Sequence, residues 1–107
     1  MIDIKKIGVV GAGQMGRGIA QVAAMSGYQV CLYDVDADGL QVAINFIQQQ
    51  MGRGVEKEKW DQLYVDQTMG LLFSTTELAA LSDCDLLIEA ATENKKIKFQ
   101  FIQTNTC

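Results

Sequence analysis

The hexapeptide Gly11-Ala12-Gly13-Gln14-Met15-Gly16 follows the apolar run Ile7-Gly8-Val9-Val10 and opens a stretch of helical periodicity, and an acid, Asp34, stands 23 positions after Gly11. These residue types at this spacing suit a dinucleotide. Gly11 permits a tight turn out of a strand, Gly13 lets the backbone approach a pyrophosphate, and Gly16 lets the following helix pack close to the strand. The helix N-terminus supplies unpaired N–H groups and the positive end of its dipole, which hold phosphate charge without a basic side chain. Asp34, at the end of the next strand, is placed to accept from a ribose 2′-hydroxyl. Its charge, with Asp36 beside it, repels a 2′-phosphate, so NAD is expected over NADP. The plainer reading of Asp34 is a strand-end or helix-capping aspartate. Met15 sits where a side chain touches the cofactor, and equally where it packs on the inner face of the helix.

The elements that must position these groups follow from the apolar pattern. Lys6 to Val10 reads as a buried parallel strand, and Gln29 to Tyr33 as a second one closing at Asp34. Between them Met15, Ile19, Val22 and Ala23 make one apolar helix face, ended by Gly27, which completes a βαβ unit. Leu40, Ile44, Ile47 and Met51 mark a second helix that Gly52 and Gly54 are expected to stop. A third helix is expected around Trp60, Leu63 and Tyr64, bounded by Gly70. Leu71 to Phe73 reads as a short strand, Ser74 to Glu77 as a capping box before helical Leu78 to Leu81, and Leu86 to Ala90 as another buried strand. Asn94 is expected to cap a last helix with Ile97 and Phe101 on its inner face. Glu93, Asn94 and Lys98 then fall just beyond the carboxyl end of the last strand, where open α/β sheets bind ligands; a Glu and a Lys at this spacing also suit a solvated pair. Lys95 and Lys96 read as solvated.

The expected architecture is α/β: a Rossmann-like, doubly wound, mostly parallel sheet comprising the first βαβ half and the strand across the switch point. The whole of 1–107 reads as one domain, incomplete at its second half, with the outer edge of the Leu86 to Ala90 strand exposed and open to homo-oligomerisation. A net charge of −4 argues against nucleic-acid or anionic-membrane partners. No apolar stretch is long enough to span a bilayer and the N-terminus lacks a signal-peptide pattern, so a cytoplasmic location is the default. Three cysteines in no ligand spacing suggest neither a disulfide framework nor a metal site, and Cys31 and Cys84 read as small core fillers. The chain contains no histidine.

The run IGVVGAGQMGRGIAQVAAMSGYQVCLYDVDADGL, Ile7 to Leu40, together with TTELAALSDCDLLIEAATENKKIK, resembles the NAD-dependent 3-hydroxyacyl-CoA dehydrogenases. The resemblance implies that the Gly11 to Gly16 loop holds the pyrophosphate of NAD and Asp34 the adenosine ribose. It implies NAD contacts near the nicotinamide end for Glu93 and Lys98, and a contact of Lys57 with the CoA tail of an acyl-CoA substrate. It further implies a reversible oxidation of (S)-3-hydroxyacyl-CoA to 3-oxoacyl-CoA. The family's catalytic His–Glu pair, in a His-Phe-Phe-Asn-Pro segment and beyond, has no counterpart here, so no catalytic residue is assigned and the chain alone is expected to be inactive. Thr104 to Cys107 resembles the start of the family's Thr-Asn-Thr-Ser-Ser stretch. The alternative is a non-catalytic NAD-binding or oligomerisation module completed by another chain.

Overall fold

In the computed structural model, residues 3–90 and the backbone of 98–101 are described. The central strand is β1 (Lys6–Val10), hydrogen-bonded in parallel to β2 (Gln29–Tyr33) on one side and to β4 (Leu86–Glu89) on the other. Beyond β2 lies β3 (Leu72–Thr75), also parallel. The chain thus runs outward from β1 to β3 and crosses back to β4, and the order β3-β2-β1-β4 places a topological switch point at the carboxyl end of β1.

Three helices, α1 (Gln14–Met25), α2 (Ala37–Glu56) and α3 (Gln62–Gly70), join the strands up to β3. The main core lies between them and one sheet face, where Ile7, Val9, Val30, Leu32, Leu72 and Ile88 meet Ala20, Ala24, Ala43, Ile47, Met51 and Val65. The opposite face carries a smaller cluster of Cys31, Leu81 and Cys84 with Val10, Tyr33 and Leu87 packed on it, and both cysteines are free and buried. Among the described residues no helix is long and apolar enough to cross a membrane.

Four expectations change. In α1 the fully buried residues are Gly16, Ala20 and Ala24; of the expected stripe, Ile19 and Ala23 pack partly buried against the core, while Val22 is 64% exposed. The helix starts so close to the end of β1 that Gly16 lies against the Gly11 carbonyl, and Met15, Ile19 and Val22 line an apolar groove along its flank. Second, α2 does not stop at Gly52 or Gly54. It runs to Glu56, and the chain turns at Glu58 in the left-handed region (φ +59°), where the Lys59 N–H donates to the Gly54 carbonyl at 2.8 Å. Gly54 is a packing position: a Cβ there would overlap the Trp60 indole, whose Nε1 donates to the Met51 carbonyl at 2.8 Å.

Third, the expected capping box is absent. Thr75 Oγ1 accepts from the Glu77 N–H at 3.0 Å, and Leu78–Leu81 is a 3-10 turn without a side-chain cap. Fourth, the β4 edge is not exposed, and residues 98–101 are not helical. Lys98–Phe101 forms β5, antiparallel to β4 with Lys98 opposite Glu89, so the hydrogen-bonding groups expected to invite a second copy are paired within the chain. Alternating Lys98-Phe99-Gln100-Phe101 suits a strand as well as a helix face, and the open β4 edge decides between them. Asn94 and Ile97, assigned to that helix, lie outside the described residues, as do Lys95, Lys96 and Thr104 to Cys107.

Candidate dinucleotide site

The carboxyl end of β1 is where the sequence concentrates its chemistry. β1 ends at Val10 and Gly11 takes φ +106°, a conformation that L side chains rarely adopt. The Gly11 N–H donates to the Tyr33 carbonyl (2.8 Å), which ties the turn to the end of β2. A Cβ on Gly16 would overlap the Gly11 carbonyl, so the first turn of α1 lies directly against the turn that precedes it. Around Gly13 a Cβ would meet nothing within 4 Å. The backbone there faces open space.

The N-terminus of α1 has the character of an anion seat. Its N-cap, Gly13, offers no side-chain acceptor, and no acid stands in the first turn. By contrast α2 is capped by Asp36, which accepts from the Asp38 N–H, and α3 by Asp61, which accepts from the Tyr64 N–H. The first-turn amides of Gln14 and Met15 therefore keep their donors for an external acceptor. Residues that fit a pyrophosphate are an uncapped helix end, a close-packed Gly16 and clear space at Gly13; all three are present.

Asp34 follows β2 directly. One carboxylate oxygen, Oδ2, accepts from the Ala12 N–H at 2.9 Å and the other, Oδ1, from the Asp36 N–H at 3.0 Å. The bond from Ala12, more than the partial burial that opposes it, holds the Asp34 carboxyl below its ordinary pKa, with the Asp36 and Val35 amides adding to the effect. Asp34 is thus an anion at neutral pH. Its own N–H donates to the Thr75 carbonyl at 3.3 Å, next to a cleft of about 360 Å³ lined by Ala37, Leu40, Gln41 and Ser74 to Thr76. Those hydroxyls carry no sequence signal that separates them from an ordinary strand end.

The remaining assigned residues fall elsewhere. Met15 is half-buried and lines the apolar groove on the flank of α1, outside the core that its helical position suggests. Lys57 caps the C-terminus of α2 and is exposed. The 20 residues of α2 separate it from the Asp34 end, about 30 Å at 1.5 Å per residue. Lys98 opens β5, and Glu93 lies outside the described residues. The structure brings together Gly11 to Gly16 and Asp34, and sets Lys57 apart from them.

The family described as "3-hydroxyacyl-CoA dehydrogenase, NAD binding domain" matches residues 6–106. A 3-hydroxybutyryl-CoA dehydrogenase of Bradyrhizobium diazoefficiens is 42% identical over 95 residues, covering 89% of this chain and 32% of that protein. Among solved structures, a 3-hydroxybutyryl-CoA dehydrogenase from Escherichia coli superposes with a TM-score of 0.83 at 40% identity, over 85% of this chain and 19% of the other. The (S)-3-hydroxybutyryl-CoA dehydrogenase PaaH1 from Ralstonia eutropha gives a TM-score of 0.83 at 34% identity, over 86% of this chain and 32% of that one. The chain therefore spans about a third or less of the length of these relatives.

Proposed function

Because the chain belongs to the NAD-binding domain family of the 3-hydroxyacyl-CoA dehydrogenases, we propose that residues 1–107 form the adenosine- and pyrophosphate-holding part of an oxidoreductase that interconverts (S)-3-hydroxyacyl-CoA and 3-oxoacyl-CoA. The observation that carries this reading is the ionised Asp34 beside the uncapped N-terminus of α1. The amides of Gln14 and Met15 would hold the pyrophosphate and Asp34 the adenosine ribose, favouring NAD over NADP. NAD supplies the hydride acceptor when bound. Glu93 and Lys98 would contact NAD near its nicotinamide end, and Lys57 the CoA tail of the substrate. A cytoplasmic setting accords with Cys31 and Cys84 being free.

In this reading the 107 residues bind cofactor without turning over substrate. The chain contains no histidine. Loss of a general base costs on the order of 10²–10⁴-fold. Calorimetric titration with NADH and NADPH tests the cofactor half: NADH binds saturably, NADPH at least about tenfold more weakly, and Asp34→Ala weakens NADH and collapses the preference. A folded chain that binds neither dinucleotide overturns the reading. Steady reduction of a 3-oxoacyl-CoA by the pure chain at rates typical of enzymes overturns the inactive half of it.

A further inference from the structure

We propose that Asp34 is a positioning residue for the glycine turn as well as a partner for the ribose: its carboxylate braces the Ala12 amide and so shapes the pyrophosphate seat before any ligand arrives. This rests on the dinucleotide-site reading above and deepens it. The geometry is specific. Asp34 Oδ2 takes the Ala12 N–H at 2.9 Å across 22 residues of sequence, while Oδ1 takes the Asp36 N–H at 3.0 Å, so one side chain links the turn after β1 to the loop that enters α2. The turn's other holds lie on either side of Ala12: Gly16 packs on the Gly11 carbonyl, and the Arg17 N–H donates to the Gly13 carbonyl at 2.9 Å. Gly11 is fixed by its N–H bond to the Tyr33 carbonyl, and Gly13 has neither a side chain nor a neighbour within 4 Å of its Cβ position. Ala12 itself is buried. An amide in that setting left without an acceptor carries a desolvation cost, and the backbone shifts to relieve it.

Two consequences separate this role from ribose binding. The Ala12 N–H is already committed, so the amides that meet phosphate are those of the first turn of α1, and the brace sets how they are aimed. Discrimination against a 2′-phosphate and the shape of the phosphate seat also reside in the same carboxylate. Removing Asp34 therefore abolishes the preference for NAD without creating a competent NADP site.

Inorganic pyrophosphate is the probe, since it has no ribose for Asp34 to touch. Its binding is followed by amide shift perturbation in the wild type, Asp34→Ala and Asp36→Asn, alongside NADH titration of the wild type. If electrostatics alone governs, both substitutions remove one negative charge near the seat and both tighten pyrophosphate. With the brace, Asp34→Ala binds pyrophosphate about threefold or more weakly than wild type in spite of the lost charge, while Asp36→Asn binds it as tightly or more so. Amide exchange on the ligand-free proteins gives a second readout: at Ala12 it accelerates about tenfold or more in Asp34→Ala, with the β1 amides still protected as proof of folding. Unchanged or tighter pyrophosphate binding by Asp34→Ala, or an unchanged Ala12 exchange rate, overturns the brace and leaves the cofactor reading intact. A wild type that binds no NADH overturns the cofactor reading instead.

Discussion

A β-carbon at Gly16 would overlap the Gly11 carbonyl, whereas one at Gly13 would stand in open space, so two glycines of one motif constrain the molecule in different ways. Gly16 is required by the fold, and in the proposed site Gly13 is required by the ligand. Gly16→Ala is expected to push α1 off the turn, with a loss of about 1–3 kcal/mol in urea-determined stability and a fall in NADH affinity with it. Gly13→Ala is expected to fold as well as the wild type, because the residue sits at φ −71° and ψ −167°, which alanine adopts freely. Its methyl would nonetheless occupy the approach to the helix end, and NADH affinity falls by about tenfold or more at unchanged stability. Equal stability losses in the two variants would show that the motif is structural at both positions. This much of the site was legible in the sequence, because the spacing of the glycines and the downstream acid is itself the mechanical specification. The bond from the Ala12 amide to Asp34 was not, since a backbone donor at one alanine leaves no mark on residue identity.

At the scale of elements, β1 and β2 run from Lys6 to Val10 and from Gln29 to Tyr33, the bounds read from a nearly continuous apolar run ending at glycine and from the alternation of Val30 and Leu32 closing at Asp34. The sequence misleads where an element's partner lies far away along the chain. α1 turns Gly16, Ala20 and Ala24 most deeply inward, with Ile19 and Ala23 beside them, because of how close β1 comes, and β5 forms because β4 offers an open edge; neither neighbour is visible in a local window. Helix α2 gives the sharpest case, since Gly52 and Gly54 look alike in sequence and differ only in what lies opposite. A Cβ at Gly52 meets nothing within 4 Å, while at Gly54 it meets the Trp60 ring. Gly52→Ala is therefore expected to stabilise the protein by about 0.5–1 kcal/mol through helix propensity. Gly54→Ala is expected to cost about 1–3 kcal/mol, because the indole must leave its place and with it the bond to the Met51 carbonyl. Shifts of the same sign in the two denaturation midpoints would contradict this account of α2.

For the molecule as a whole, the carboxylates that tie distant parts of the chain together make a common prediction about pH. Asp85 accepts from the Lys5 and Lys6 amides at 2.8 and 3.0 Å, which joins the entry of β1 to that of β4, and those bonds lower its pKa. Asp83 is lowered by its hydrogen bond with the Lys6 ammonium at 2.9 Å, and Asp34 by the Ala12 amide at the opposite end of the sheet. Each of these groups holds its proton less tightly folded than unfolded. Their stabilisation is complete above the unfolded pKa of about 4 and is lost as pH falls through the lower folded values. Among the described residues no shifted group titrates between about pH 5 and 8: the chain has no histidine, and burial raises the Cys31 and Cys84 thiols, the latter to about 11, so their cost to stability enters only above about pH 8.5. The urea midpoint is accordingly expected to stay flat between about pH 5.5 and 8 and to fall steadily below about pH 4. Asp85→Asn should lower the plateau and shallow the acid limb, since part of what protonation removes is then already gone. A midpoint that declines between pH 7 and 5.5 would place a titrating group in the folded core that these carboxylates do not supply.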